Sequence, residues 1–278
     1  MANETTSTTL DDLFANIILQ ARFTAEEQSI MLGLVTRYDI GNVAGKTVQV
    51  PKYPAISAAD LTEGTDMSAT EVSTSSVTID VAEVGAQVVL TDLAAFGAGN
   101  PAAELGTVLG NAIATKMDTD LIALFDGFST SLGATTQEIT VADIFNAASR
   151  LKAAKAPGQY SAVLHPYQAY QLKANMTNTF ANPNGGDLQN EAMRTGFIGT
   201  VAGVNIYESA NVSIDGSGDS KGAVFAPEAI AMAMKRDFNI ETERNASLRA
   251  FELNATAVYG VAELDDSYGV EMYFDAGL

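Results

Sequence analysis

One histidine and no cysteine in 278 residues leave few side chains for acid–base, nucleophilic or metal chemistry. His165 stands in "YSAVLHPYQAYQL", residues 160–172. A catalytic imidazole needs a nucleophile or carboxylate in contact with it, and no G-x-S-x-G elbow occurs to provide one. Pro166 behind it suits the first position of a helix, where its missing N–H costs nothing. The pair therefore reads as a strand-to-helix junction. "GAGNPA", Gly97–Ala102, fits the loose dinucleotide pattern G-x-G-x-x-A, whose glycines let backbone amides approach a pyrophosphate. Pro101 intrudes into that turn, no βαβ unit surrounds it, and Asp118 and Asp120 fall inside a long helical pattern. A joint before that helix is the better reading. "DGSGDS", Asp215–Ser220, alternates oxygens as a calcium loop does but lacks the sixth-place glycine, the twelfth-place glutamate and the flanking helices. An exposed turn is expected there. Glu241 and Glu243 share one side of a strand with no acid–base context. No catalytic, cofactor-binding or metal-ligating residue is assigned, no cofactor is expected, and the chain reads as a non-enzyme.

Composition narrows the partners. Apolar residues make up 47% of the chain, enough to close a large core. Fifteen basic residues against 34 acidic ones give a net charge of −19, the wrong sign for clustered-lysine binding to a nucleic-acid backbone. No basic residue occurs between Lys52 and Lys116, whereas Asp60, Glu63, Asp66, Glu71, Asp80, Glu83, Asp92 and Glu104 all lie there. That stretch is a solvated face, or one that repels polyanions or meets a basic patch elsewhere. The absence of cysteine excludes a disulfide framework and fits a reducing compartment. The opening "MANETTSTTLDDLF" is acidic and polar, unlike a secretory signal, and no apolar run reaches the length of a membrane span.

The elements that hold these residues follow from periodicity. Leu10, Leu13, Phe14, Ile17 and Ile18 recur at helical spacing near the start. "KTVQVPKYP" alternates until Pro51 and Pro54 stop it, and "VTIDVAEVGAQVVL" alternates again. Residues 55–76 between them are rich in Ser, Thr, Ala, Asp and Glu, so the pair makes an extended hairpin with a polar tip that needs a neighbour to lie on. Asn100 and Pro101 then open a long helix whose apolar positions run from Leu105 to Phe125. Beyond residue 138 short elements alternate: helix "TVADIFNAASRLKAA", strand "YSAVLH", helix "PYQAYQLKANM", strands around "GTVAGVNIYES", strand "GAVFA" and helix "PEAIAMAMK". Phe238 and Ile240 open a strand, Phe251 to Val261 alternate in another, and Val270, Met272 and Phe274 alternate in a last one after the turn "DDSYG".

This order, with "GKTVQVPKYP" and "LTEGTDM" entering the long loop, "AQVVLTDLA" leaving it, "KMDTDLIALFDG" ending the helix, "AVLHPYQAYQL" and "GTVAGVNIYES" in the α+β lobe, and "AVFAPEAIAMAMKRDFNIETERN" closing it, resembles the major capsid protein of tailed bacteriophages, the Hong Kong 97 type fold. The likeness spans nearly the whole chain. It implies an α+β fold divided into an N-terminal arm (1–44), an extended hairpin loop (45–93), a spine helix with part of a peripheral domain (94–137), an axial domain (138–234) and the closing strands of the peripheral domain (235–278).

The resemblance further implies self-assembly as hexamers and pentamers into an icosahedral head around double-stranded DNA, bound without sequence specificity and with no membrane. It places the protein in the virion capsid after assembly in a bacterial host's cytoplasm, with portal, scaffolding and decoration proteins as further partners. The resemblance departs in that the sequence starts at residue 1 without a built-in scaffold region, so a separate scaffolding protein or a removed segment is expected. Some capsids of this type join a hairpin lysine to a neighbour's asparagine. Residues 55–76 hold no lysine, with Lys46 and Lys52 at the hairpin base, so non-covalent contacts are expected, among them acidic hairpin residues with a neighbour's Arg236, Arg244 or Arg249. The alternatives are an encapsulin-like cellular shell and an acidic α/β nucleotide-dependent enzyme using "GAGNPA".

Overall fold

A computed structural model describes residues 29–93 except 42, 43, 59, 65, 68 and 70, residue 95, and residues 102–179 and 199–277. The N-terminal helix expected over residues 10–21 and the Asn100–Pro101 cap lie outside these.

The spine is helix α1, Ala102–Ile122, continued by a 3-10 turn, Ala123–Gly127. At 1.5 Å per residue its length is roughly 30 Å. Leu109, Ile113, Met117 and Leu121 fall four residues apart and are all buried, as the sequence periodicity predicts. They lie on a four-stranded sheet of order β1-β10-β11-β4: β1 Thr36–Asp39, β4 Ala82–Thr91, β10 Ile230–Asn245 and β11 Ala250–Glu263. Phe238, Ile240, Leu253, Ala255, Ala257 and Tyr259 complete that core. β1 runs parallel to β10, and the other two pairings are antiparallel.

The second lobe is a six-stranded sheet of order β5-β12-β9-β6-β8-β7: β5 Ser131–Leu132, β6 Tyr160–Leu164, β7 Thr200–Val201, β8 Val204–Glu208, β9 Asp219–Phe225 and β12 Gly269–Asp275. Its two faces bury different residues. Val163, Ala223 and Phe225 join the spine core, whereas Ala162, Leu164, Val224, Met272 and Phe274 are covered by helices α2, Val141–Ala153, and α3, Pro166–Thr179. Both helices stand where periodicity puts them. A capping box closes the start of α2, Thr140 against the carboxylate of Asp143, which satisfies donors that a helix end otherwise leaves free.

The hairpin forms from β2, Thr47–Lys52, and β3, Ser75–Asp80, in antiparallel register from Thr47↔Asp80 to Lys52↔Ser75. Its strand β2 runs through Pro51, which is tolerated because a two-stranded ribbon leaves each strand an unpaired edge. Two expectations are corrected here. The alternation from Val77 to Leu90 is not one strand: Val81 is buried, its N–H donates to Lys46 O, and β4 beyond it leaves the hairpin to pair with β11. "PEAIAMAMK" is not a helix: Pro227–Ala229 turn, and Ile230 begins β10. The physical reason is burial on both faces. Ile230, Met232 and Met234 enter the spine core, and Ala231 and Ala233 enter a smaller core with Ile40, Ile79 and Val81. β1 and β11 flank them on either side, so sheet pairing outweighs the helix propensity of Ala and Met. Phe238 and Ile240 consequently sit mid-strand instead of opening one.

Candidate functional site

His165 is the N-cap of α3. Its Nδ1 accepts the Tyr167 backbone N–H at 3.2 Å, its carbonyl accepts Ala169 N–H at 3.0 Å, and its ring meets the Tyr167 ring edge-on at 4.9 Å between centroids. Accepting at Nδ1 requires the unprotonated nitrogen, and burial holds the imidazole below its usual pKa. The group is spent on capping, and among the described residues it contacts no carboxylate.

Asp215 is spent likewise. One of its oxygens accepts Ser217 N–H at 2.8 Å and Asp219 N–H at 3.0 Å, and the other accepts the Tyr273 hydroxyl at 3.1 Å. The backbone bonds from Asp219 and Ser217 lower its pKa. "DGSGDS" is thus a self-bonded turn ahead of β9, and Asp219 is committed to Thr136 N–H at 3.1 Å. Glu241 and Glu243 lie on an exposed part of β10, with Glu241 accepting from Asn239 at 3.4 Å. Of "GAGNPA" only Ala102 is described, as the first residue of α1. Among the described residues no group of three or more His, Cys, Asp or Glu side chains converges as a metal site would, and no helix is long and apolar enough to cross a membrane.

The buried polar network joins parts of the fold. Asp118, fully buried on α1, accepts from Ser29 Oγ at 2.9 Å, Met31 N–H at 3.3 Å and Asn211 Nδ2 at 3.2 Å. It therefore fastens the segment before β1 and the loop after β8 to one point of the spine. Nothing in the sequence marks these partners, which stand 89, 87 and 93 residues away. Tyr259 donates to Asp120 at 2.8 Å, and burial first, then that bond, raises its pKa. Gln168 reaches Ser220 O at 2.8 Å and Phe274 O at 3.1 Å, and Gln171 reaches Gly277 O at 3.3 Å. These amides tie α3 to the sheet and to the end of the chain.

The hairpin is the opposite case. Val48, Val50, Ile79 and Val81 pack at its base with Ala231 and Ala233, and Gly260 lets β11 pass beneath it: a Cβ there would lie 2.3 Å from Asp80 O. Beyond Lys52 the described residues of 53–74 form no strand and are all exposed. Tyr53, Ile56, Leu61 and Met67 present 69%, 60%, 66% and 72% of their surface to solvent. Two of the three arginines expected to seek a neighbour's acids, Arg236 and Arg244, are engaged within the chain. Arg236 donates to Glu83 at 2.8 Å and Thr256 at 2.7 Å. Arg244 grips Asp92 with two bonds of 2.6 and 2.7 Å and lies over the Phe251 ring. Asp92 is held below the usual carboxylate range by Arg244.

No protein-family model and no curated protein matches the chain. Solved structures do. A structure described as Mycobacterium phage Che8 is similar with TM-score 0.70 at 20% identity, over 88% of this chain and 90% of that one. The capsid structure of the cyanophage P-SCSP1u gives 0.71 at 18%, over 88% of each chain. The acidic stable capsid structure of the Helicobacter pylori bacteriophage KHP30 gives 0.70 at 14%, over 89% of this chain and 91% of that one. The chain has the α+β, Hong Kong 97 type fold of phage capsid subunits.

Proposed function

We propose that the chain is the major capsid protein of a tailed bacteriophage, assembling as hexamers and pentamers into an icosahedral head around double-stranded DNA. The observation that carries this reading is the shared fold over 88–89% of the chain. The hairpin adds a physical reason. Apolar side chains exposed along a segment with no core of its own stabilise contacts with a second copy, because burying each contributes about 1.5–3 kcal/mol. A closed shell gives every copy such a neighbour. A charge of −19 keeps the wall from holding packaged DNA tightly. Portal, scaffolding and decoration proteins are further partners. No reaction is assigned, since His165 and Asp215 are consumed by capping and turn formation.

Electron microscopy and light scattering of the purified full chain test this. Closed particles of uniform size, with nuclease-protected DNA when made in infected cells, are expected. A monomer or dimer under every assembly condition overturns the reading, and particles filled with protein cargo favour a cellular shell. Subunits are held by non-covalent contacts: Lys52 is ion-paired within its own chain and the tip holds no lysine. Particles boiled in denaturant should run as one band of the subunit mass. A ladder of multimers would point to Lys46 or Lys52 as the amine.

A further inference from the structure

Lys52 ends β2, and its Nζ lies 2.6 Å from Asp265 Oδ2. Asp265 stands between β11 and β12, in the turn through which the chain passes from the four-stranded to the six-stranded sheet. Its other oxygen holds that turn, accepting Ser267 N–H at 3.1 Å and Ser267 Oγ at 2.7 Å. The adjoining Asp266 accepts from Ser129 N–H at 2.6 Å and from Ser129 Oγ, just past the end of the spine. One turn thus bonds to the hairpin and to the segment just after the spine, and as chain it joins the two sheets.

The other described contacts of the hairpin with the body run from its root along β2 as far as Val50. Asp80 O rests on Gly260, Val48 and Val50 pack on the small core, and Lys235 reaches Gly45 O. Thr47 Oγ1 to Asp80, 2.8 Å, is internal to the hairpin. Lys52 lies two residues beyond Val50 along β2, roughly 7 Å at the rise of a strand, which makes its ion pair the outermost of these contacts. Apolar packing along β2 is non-directional, whereas the outermost contact, a charged pair, resists tilt with the longest lever. We infer that the Lys52–Asp265 ion pair is a strap that fixes the direction of the hairpin relative to the junction of the two sheets. Tilt of the hairpin and displacement of the Asp265–Ser267 turn are thereby coupled. Asp265 is suited to this: its side chain is 16% exposed, and although burial opposes ionisation, the bonds from Lys52 and Ser267 keep its pKa low.

The chain has no cysteine, so two introduced ones carry spin labels without interference. Thr78→Cys on β3 and Ser149→Cys on α2 are both exposed. Label-to-label distances are measured by pulsed electron resonance on the full chain, diluted until light scattering shows no association. A narrow distribution is expected in the parent. Lys52→Met should broaden it at least twofold, and Asp265→Asn, which keeps an oxygen for Ser267 but loses the charge, should do the same. Lys52→Arg should restore it, with helix content unchanged throughout by circular dichroism. A parent distribution already broad, or Lys52→Met and Asp265→Asn indistinguishable from the parent, overturns the strap. The measurement is made on single subunits, so its failure leaves the shell reading standing, and failure of the shell reading leaves the strap standing.

Discussion

Strand β6 and the hairpin tip are two halves of one strategy. Every residue from Tyr160 to Leu164 is buried, flanked by β8 and β9 and packed between the spine core and helices α2 and α3. The described residues of 53–74 are all exposed, apolar ones included. The first region is stable because of its own chain, and in the proposed shell the second gains its stability from another copy. A monomeric protein rarely leaves apolar side chains uncovered along a projecting segment, so under the proposed function the contrast separates what folds the subunit from what would join subunits.

The largest effect should come from breaking the folded side of that contrast. Phe225→Ala removes a fully buried ring packed 5.5 Å from that of Phe125. A loss of about 3–5 kcal/mol is expected, a large share of a domain's total stability. Thermal unfolding should show it, and particles should disappear with the fold. The triple variant Ile56→Ser, Leu61→Ser, Met67→Ser tests the other side. Its subunit should unfold within about 0.5 kcal/mol of the parent, while particle yield by sedimentation falls at least tenfold, since 1.4 kcal/mol already suffices for about tenfold. Loss of subunit stability in this variant would erase the distinction between the two regions.

The smallest effect lies at His165. His165→Ala removes the α3 cap at a cost of about 0.5–1 kcal/mol, with particle formation intact. Its pH dependence sharpens the assignment. The folded imidazole has a lowered pKa, so its contribution is fully present above the unfolded value of about 6.5 and is lost as pH falls through the folded value. The melting difference between parent and variant should therefore shrink on acidification. A folded, normally assembled variant that had lost an activity would restore a chemical role to the histidine.

Local rules made much of this fold legible. The α1 periodicity, the alternation of Leu253, Ala255, Ala257 and Tyr259, and the Pro166 helix start are patterns confined to a few residues. The first part of β10 reads as a helix because Ala and Met favour one, although Ile230-Ala-Met-Ala-Met234 alternates large and small with a period of two. That alternation is what two unequal cores on opposite faces require. The Asp118 junction and the Lys52–Asp265 pair were out of reach for a different reason. Their partners are brought together only by the completed topology, and an isolated Asp or Lys carries no local sign of a partner 89 or more than 200 residues distant.

Val81 gives the chain something like a spatial reading frame. On one side of it β3 is paired to β2, and on the other β4 places Val84, Ala86 and Val88 against the spine core. Side chains alternate faces at every residue, so one amino acid inserted at this hinge would turn that whole row toward solvent and send Glu83, Gln87 and Val89 inward. The same insertion among residues 53–74 would only lengthen a loop, for which the entropic cost grows slowly. Length variation among descendants of this sequence is therefore expected to accumulate in the tip and to stop abruptly at residue 81.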